Sequence, residues 1–382
     1  MTDNGVIAIA RKEFFDHLIS RKFLLILSIL LVVAVLGILN GISDYDASVT
    51  SYNNLQQSVS GSVGQVSPVD LLMKQKPSVL IVFYQMGLVF EVIGGILGIA
   101  MGFDLVTKEK ESKSLKILLS HPVYRDQVIN GKTLGGIAAI LLALGCTMAV
   151  SLAILLLFGI VPELSEMLPI LVFYIVTFLL IFSFFAIAIL MSTLCEESGR
   201  ALVYTLIIFV ALGSFIPALI MSPLVMEKVI GQAPEMPEMT AYPKEDPANS
   251  AGQAAEMERI QKENSEKWER YSEQNQEYVA KQIKWADTRD LFSPTNNYAK
   301  ISAFMTNPGV MSQMLYGTNG MSSGNPNGDD QDIMVSVMSQ KIVDLDFYGI
   351  LAMLATNITA LLVLPAVFFG LAYVCFMRMD IR

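Results

Sequence analysis

The chain has 382 residues and a net charge of −9, with 53% hydrophobic and only 16% charged residues. A soluble domain normally carries about a quarter charged residues. Because the apolar residues here also lie in long blocks, the composition excludes an ordinary soluble enzyme and indicates a membrane protein. No segment is strongly basic, so a nucleic-acid partner is not expected. Cys146, Cys195 and Cys375 lie in or beside apolar blocks and offer no disulfide or zinc framework.

An amphipathic helix is predicted for residues 1–22, before the first long apolar block. The apolar positions that share one helical stripe are Ile7, Ala10, Phe14 and Leu18. Charged side chains lie elsewhere around the helix. This pattern favours a helix that lies in the membrane interface over a simple basic flank of the first span.

Six blocks are long and apolar enough to cross a bilayer, which requires about 20 such residues. In chain order they are Phe23–Ser43, Val79–Phe103, Leu134–Val161, Leu168–Cys195, Ala201–Met226 and Phe347–Met377. No small-residue cleavage site follows the first block, so we expect an anchor rather than a cleaved signal peptide.

The distribution of lysine and arginine predicts the orientation of the spans. Most basic residues of the short segments fall on the side of the N-terminus, whereas 44–78 contains only Lys74 and Lys76, and 162–167 contains none. This asymmetry predicts a multi-pass protein of the cell membrane with both termini in the cytoplasm. The predicted regions are 1–22, spans one to five at 23–226, an outer domain at 227–346, and the sixth span with its tail at 347–382.

The second span combines one carboxylate with closely spaced glycines. Gly94, Gly98 and Gly102 recur every four residues, which lets two helices approach closely, either within one subunit or between two. Glu91 lies in the middle of the same span, where a charge is costly. Two interpretations of Glu91 stay open, since it could line a translocation path or be protonated and hydrogen-bonded within the bundle.

The loop 104–133 is the longest one predicted on the inner side. Its alternation of lysines and apolar residues predicts a helix around Lys108–Leu119, which His121 and Pro122 would end. A second short helix is predicted over Arg125–Lys132. The apolar content indicates that the loop packs against something, although a solvated basic loop is the plainer interpretation.

The outer segment 227–346 is too long for a simple loop. Residues 233–250 are rich in proline and indicate a linker, whereas 251–290 predict one long helix. Its stripe consists of Met257, Ile260, Asn264, Trp268, Tyr271, Asn275, Tyr278, Gln282 and Trp285. We expect this stripe to dock on its own domain or on a second copy. The many methionines here favour adaptable packing over copper binding, because no histidine or cysteine joins them.

The sequence contains no recognisable catalytic, metal or nucleotide site. His17 and His121 are the only histidines, and no G-x-S-x-G, HExxH or C-x-x-C motif occurs. The triplet Gly131-Lys132-Thr133 does not complete a phosphate-binding loop, because Asp126 occupies the position of the required first glycine. We therefore expect no catalytic residue, no metal ligand and no cofactor bound by this chain.

The segment Asp104–Leu134 resembles the region after the second helix in permease subunits of ABC transporters of the type-2 exporter class. The matching pieces are Glu109 and Glu111, Ser114-Leu115, Leu118-Leu119-Ser120, Pro122-Val123, Arg125 and Gly131-Lys132, with Ser114 in place of the commoner threonine. The large outer insertion is similar to that of the subgroup associated with multicopper-enzyme maturation.

The resemblance implies an all-α integral membrane protein with six transmembrane helices, an interfacial N-terminal helix, a cytoplasmic coupling helix and a mainly helical outer insertion between helices five and six. Two such permeases, identical or related, would pair with two ATPase subunits that bind ATP and Mg. The implied ATPase-docking residues are Lys108, Glu109, Lys110, Glu111, Ser114, Leu115, Leu118, Leu119, Pro122 and Arg125. The rival classes are a secondary transporter, for which no internal repeat is found, and a membrane-anchored scaffold.

Overall fold

The structure, a computed structural model, describes residues 3–61, 77–113, 124–241, 250–307 and 347–379. These residues form helices, and no strand occurs among them. In chain order the helices are α1 (Asp3–Ile19), α2 (Arg21–Gly61), α3 (Ile81–Gly102), α4 (Thr107–Glu111), α5 (Arg125–Leu157), α6 (Leu164–Leu194), α7 (Ser198–Val210), α8 (Ile216–Ile220), α9 (Pro223–Val229), α10 (Ser250–Asp290), α11 (Pro294–Thr306), α12 (Phe347–Met353) and α13 (Ala355–Arg378).

Six helical stretches are long and apolar enough to cross a membrane. They are Arg21–Asn54, Ile81–Glu111, Arg125–Leu157, Leu164–Leu194, Ser198–Ile220 and Ala355–Arg378. Each overlaps one of the six apolar blocks of the sequence, which confirms the predicted number of spans. The chain is therefore an all-helical, multi-pass membrane protein.

The first predicted outer loop is partly helical. α2 continues through Gly61, so the first part of segment 44–78 is helix rather than loop. Neither proline nor glycine occurs between Gly41 and Gly61, and nothing in that stretch therefore interrupts the backbone hydrogen bonds. The predicted loop is corrected accordingly.

The fifth and sixth spans are less regular than predicted. The block Ala201–Met226 is α-helical only to Val210, and a π-helical turn over Ala211–Phe215 follows. Pro217 and Pro223 then begin the short helices α8 and α9, because proline fits the first turn of a helix but not its interior. The sixth block begins with the separate short helix α12 before α13.

The predicted helices of the loop 104–133 also need correction. The helix that begins it, α4, ends at Glu111, and Lys113 has a left-handed backbone with a φ of 55°. The rest of the predicted helix Lys108–Leu119 lies outside the described residues. Arg125–Lys132 is not a separate helix, since it forms the first turns of α5.

The chain divides into two compact units, one of residues 1–213 with 293–382 and one of residues 214–292. The first unit contains α1–α7 and α11–α13, and the second contains α8–α10. α11 thus belongs with the spanning helices, whereas the sequence analysis placed it in an outer domain over 227–346. Ser293 caps this helix by accepting a hydrogen bond from the backbone nitrogen of Asn296, and Pro294 occupies its first turn.

Internal hydrogen bonds allow α11 to be buried although it carries many polar side chains. The Tyr298 and Thr177 hydroxyl groups lie 3.2 Å apart, and Asn357 Nδ2 donates to Asn297 Oδ1 over 2.8 Å. Buried polar groups are stable when they are paired in this way. A short helix without a long apolar run carries little sequence signal for burial, which is why the sequence analysis missed it.

The glycine stripe of α3 packs against α6 within the chain. A Cβ atom on Gly98 would collide with the carbonyl oxygen of Ile181 and lie 3.0 Å from the Phe185 nitrogen. A Cβ atom on Gly102 would lie 2.8 Å from both the Ala188 Cβ and the Phe185 carbonyl oxygen. Of the two interpretations of these glycines, the structure shows packing within one subunit, because α6 already covers this face of α3.

Replacing Gly98 with alanine is expected to destabilise the fold by about 1–3 kcal/mol, because the added methyl group overlaps the backbone of α6. The measurement is the thermal unfolding midpoint in detergent, followed by circular dichroism. Gly145→Ala in α5 is the matched control, since nothing lies within 4 Å of its added carbon. Equal midpoints for the two variants would contradict the close packing of α3 on α6.

Candidate functional site at the loop after the second span

The segment Asp104–Lys113, here called the α4 segment, is bonded to the ends of several spanning helices. The backbone nitrogens of Val106 and Thr107 both donate to the Ser192 hydroxyl oxygen near the end of α6, over 3.0 and 3.1 Å. The Thr107 and Ser198 hydroxyl oxygens lie 3.0 Å apart, which links the segment to the first residue of α7. Thr107 and Ser192 are fully buried, so these bonds are shielded from water.

A buried lysine joins the α4 segment to two further helices. Lys132 Nζ in α5 lies 2.9 Å from Glu13 Oε2 in α1 and 2.8 Å from Glu109 Oε1 in α4. The Lys132 side chain is only 6% exposed. Because removing one partner of a buried ion pair leaves an uncompensated charge, both carboxylates are needed to keep this ammonium group where it is.

The close packing of α1 on α5 brings Glu13 within reach of Lys132. A Cβ atom on Gly131 would lie 2.8 Å from the Ile9 Cβ, and one on Gly135 would lie 2.7 Å from the Glu13 Cβ. The two glycines therefore leave room for α1. Ile9 packs against the core, whereas Ile7 of the predicted apolar stripe is 63% exposed. The placement of that stripe in the membrane interface stays a prediction.

His17 lies beside this ion-pair cluster. Its Nε2 is 3.8 Å from Glu13 Oε1 and, within the described part of the chain, is buried without a hydrogen-bond partner. Burial lowers the pKa of His17 from its ordinary 6.5; Glu13 and Asp104 oppose this shift, whereas Lys22 and Lys132 reinforce it. The folded chain therefore favours the neutral form of this imidazole.

The α4 segment also contacts the start of the first span. Lys22 Nζ, one residue into α2, lies 2.6 Å from Asp104 Oδ1 and 4.4 Å from the centre of the Phe103 ring. The carboxylate and the aromatic face both attract the ammonium group. α2 is therefore attached to the same segment as α5, α6 and α7.

Two more charged residues of the α4 segment satisfy the ends of helices. Lys110 Nζ donates to the carbonyl oxygens of Thr193 and Cys195, each over 2.8 Å, at the end of α6. The Glu111 carboxylate accepts a hydrogen bond from the Ser198 nitrogen at the start of α7. A cation at a helix C-terminus and an anion at an N-terminus match the helix dipoles and the unpaired backbone groups there.

Arg125 makes the same kind of contact with the last span. Its Nη1 donates to the Met379 carbonyl oxygen over 2.8 Å and lies 3.3 Å from the Met377 carbonyl oxygen, at the end of α13. Arg125 begins α5, so the contact joins the third and sixth spans. Basic side chains commonly satisfy the last carbonyl groups of a helix in this way.

The structure divides the predicted docking residues into three groups. Those bonded within the chain are Glu109, Lys110, Glu111 and Arg125. Lys108 is exposed. Those that lie outside the described residues are Ser114, Leu115, Leu118, Leu119 and Pro122. The charged groups of the first group have partners in other helices of the chain, and the docking role of all ten residues stays a prediction.

The sequence analysis missed the residues that hold the α4 segment, chiefly Glu13, Lys132 and Ser192. The sequence analysis used Lys132 as the end of a predicted short helix, as part of an incomplete phosphate-binding loop and as a matching piece of the resemblance, but not as one half of an ion pair. A lysine two turns inside a helix that continues as an apolar span does predict a carboxylate partner. The sequence does not show which of the chain's acids it is.

Glu91 is half-buried in α3, close enough to Tyr298 of α11 for the two groups to interact electrostatically. It forms no ion pair with any residue that the structure describes. Both interpretations of Glu91 therefore stay open.

The pattern of the family described as "ABC-2 family transporter protein" matches residues 7–381, nearly the whole chain. No curated protein sequence matches the sequence of this chain. The chain thus belongs to the ABC-2 transporter family and is a membrane component of a transporter. Permeases of this family normally work with an ATPase subunit. The resemblance to type-2 permeases is confirmed, whereas the multicopper-enzyme-maturation subgroup stays a prediction.

Replacing Lys132 with methionine is expected to destabilise the chain by about 3 kcal/mol, because Glu13 and Glu109 are left as unneutralised, half-buried carboxylates. Adding Glu13→Gln and Glu109→Gln to that variant should restore much of the lost stability. The free energy of unfolding in detergent is measured, with the exposed Lys108→Met as control. A loss no greater than that of the control would contradict the structural role of the ion-pair cluster.

Stability is also expected to fall as the pH is lowered from about 7.5 to about 5.5. The unfolded chain binds a proton at His17 near the ordinary pKa, whereas the folded chain resists it, so this contribution is present above that pKa and lost below it. His17→Gln should flatten the pH dependence of the unfolding midpoint. A pH dependence as steep in His17→Gln as in the wild type would refute the assignment.

Proposed function

We propose that this chain is the permease subunit of an ATP-driven exporter, in which two copies form the translocation path and separate ATPase subunits dock on the loop 104–133. The observation that carries this proposal is the bonding of the α4 segment to four other helices, α2, α5, α6 and α7. A segment with so many attachments transmits a displacement to all of them.

The contacts of the α4 segment support a route for force. Lys22 connects it to the first span, Lys132 to the third, and Ser192 and Ser198 to the fourth and fifth. Gly102 and Asp104 are only two residues apart, so the second span continues into the segment without slack. Coupling requires an element with two positions whose equilibrium the nucleotide state changes, and the α4 segment is our candidate for it.

The docking surface is proposed to include Lys108, whose side chain is exposed. Ser114, Leu115, Leu118, Leu119 and Pro122, which lie outside the described residues, belong to it because the resemblance implies that they dock. Glu109, Lys110, Glu111 and Arg125 then have a different role, because they pass the motion of the docked surface to the spans. This division replaces the single docking set that the resemblance implied.

The orientation of the chain is part of the same proposal. Both termini and the α4 segment lie in the cytoplasm of a plasma-membrane protein, and the segment that follows the fifth span, from residue 227 to residue 292, lies outside. The lysine and arginine asymmetry supports this arrangement. ATP and Mg are bound by the partner ATPase, and this chain binds no cofactor. Membership of the multicopper-enzyme-maturation subgroup rests on the large outer insertion.

Two substitutions separate docking from transmission. Leu115→Asp should abolish retention of the ATPase during purification, because a buried charge opposes apolar docking. Glu111→Gln should retain the ATPase but lower transport-coupled ATP hydrolysis on the order of tenfold, because the contact with the start of α7 is weakened. Subunit retention and coupled turnover are measured on each purified complex.

The matched controls are Leu224→Asp, at an exposed leucine of α9, and Glu258→Gln, at an exposed carboxylate of α10. Both should retain the ATPase and hydrolyse ATP as the wild type does. Normal assembly and turnover in Leu115→Asp and Glu111→Gln would contradict the coupling role of the loop. A wild-type chain that purifies without any ATPase would favour the scaffold or the secondary transporter.

A further inference from the structure

Burial divides α1 lengthwise into two faces. The residues of one face, here called the exposed face of α1, are all exposed to the surroundings of the chain: Ile7, Ala8, Arg11, Lys12, Phe15, Asp16 and Ile19. The residues between them, from Gly5 to Leu18, are all half-buried. Because the exposed positions recur every four residues, they lie along one side of the helix.

The half-buried face fixes the direction in which the exposed face points. Phe14 and Leu18 pack against the core, and Glu13 is paired with Lys132 of α5. A Cβ atom on Gly135 of α5 would lie 2.9 Å from the carbonyl oxygen of Ala10, so the two backbones are in close contact. α1 therefore cannot turn its exposed face toward the rest of the chain without losing these contacts.

The exposed face is too apolar to be a simple solvated surface. Ile7, Phe15 and Ile19 are 63%, 47% and 79% exposed, although all three lie on one helix of 17 residues. Single apolar side chains on a surface are ordinary, whereas several on one face indicate a surface that something covers. Burial of these three side chains away from water would be favourable.

The connection of α1 to the first span indicates that lipid covers this face. Ser20 alone separates the two helices, and its hydroxyl group donates to a carbonyl oxygen in the last turn of α1 over 2.7 Å and accepts from the Phe23 nitrogen over 3.1 Å. Leu24 and Leu25, at the start of the span, are already exposed apolar side chains. Ile19 therefore lies at the level where the bilayer begins.

The polar part of the exposed face is basic. Neither Arg11 nor Lys12 forms an ion pair with any residue that the structure describes, and Asp16 is the single acid of the face. The Arg11 guanidinium carbon lies 5.9 Å from the centre of the Phe15 ring. Arg11, Lys12 and Phe15 line an open groove together with Ile7 and Ala8. Two cations beside apolar groups match a ligand that is both anionic and amphipathic.

We propose that the exposed face of α1 binds an anionic phospholipid of the leaflet in which α1 lies. Arg11 and Lys12 hold the lipid phosphate group, whereas Ile7, Phe15 and Ile19 contact the upper part of the acyl chains. A guanidinium group can donate two hydrogen bonds to one phosphate, and an ammonium group adds a second charge. A zwitterionic lipid carries its own cation beside the phosphate and leaves the two basic side chains unneutralised.

Quenching by spin-labelled lipids tests this site in vesicles that contain the full chain. Cys146, Cys195 and Cys375 are first replaced with alanine, and a fluorophore is attached at Ala8→Cys, in the groove. Phosphatidylcholine vesicles are then prepared with increasing fractions of phosphatidylglycerol or of phosphatidylcholine that carry a nitroxide on the upper acyl chain. Phosphatidylglycerol should reach half-maximal quenching at a fraction at least about threefold lower, because basic side chains near an anionic surface attract it.

Charge removal distinguishes this site from general attraction to the membrane. Arg11→Gln with Lys12→Gln should abolish the preference for phosphatidylglycerol and leave quenching by phosphatidylcholine unchanged. Lys262→Gln with Lys284→Gln, at two exposed lysines of α10, removes the same charge and should keep the preference. Salt at 1 M should weaken the preference of the wild type, because it screens exposed charges. An unchanged unfolding midpoint shows that each variant is folded.

Three results would overturn the lipid site. They are equal quenching of the wild type by the two lipids, no quenching by either lipid, and a preference that survives Arg11→Gln with Lys12→Gln. Shielding of the Ala8→Cys label from both lipids when the ATPase is added would also overturn it, because the face then contacts a protein. The quenching vesicles contain no ATPase, so failure of the proposed coupling leaves their result unchanged.

Discussion

The arrangement of α1, α4 and α5 relative to one another depends on the buried ammonium group of Lys132. It lies 2.9 Å from a Glu13 oxygen and 2.8 Å from a Glu109 oxygen, and almost none of its side chain is exposed. A charge in a medium of low dielectric constant is tolerated only with partners at close range. α1 and α4 must therefore both stay against α5, and Gly131 and Gly135 leave the space that α1 needs.

The polar contacts of the α4 segment explain how a helix of five residues keeps a defined position. Isolated helices of this length are unstable in water, so its stability comes from its neighbours. Each attachment also satisfies a backbone group or a charge of another helix, as Lys110 does at the end of α6 and Glu111 at the start of α7. Each contact satisfies a polar group on α4 and another at the end of a span, so the position of each element depends on the other. This dependence is the physical basis of the proposed coupling.

Two kinds of close packing hold the spanning helices without using charges. The glycines of α3 let its backbone contact the backbone of α6, where van der Waals attraction replaces the hydrophobic effect that lipid does not provide. α11 instead uses amide and hydroxyl groups, such as Asn297 with Asn357 and Tyr298 with Thr177. Hydrogen bonds of this kind are satisfied only in one arrangement, so they specify where the helix lies.

The sequence by itself determined the number of spans and the existence of the long helix α10, because apolar length and helical spacing are local properties. The end of α2 at Gly61 was less predictable, since a polar stretch without proline continues a helix as readily as it forms a loop. Only the tertiary structure decided that Glu13 and Glu109 neutralise Lys132, that Lys110 and Glu111 are used within the chain, and that α11 is buried. These facts join residues far apart in sequence, and spacing along one chain carries no information about which distant carboxylate reaches a given lysine.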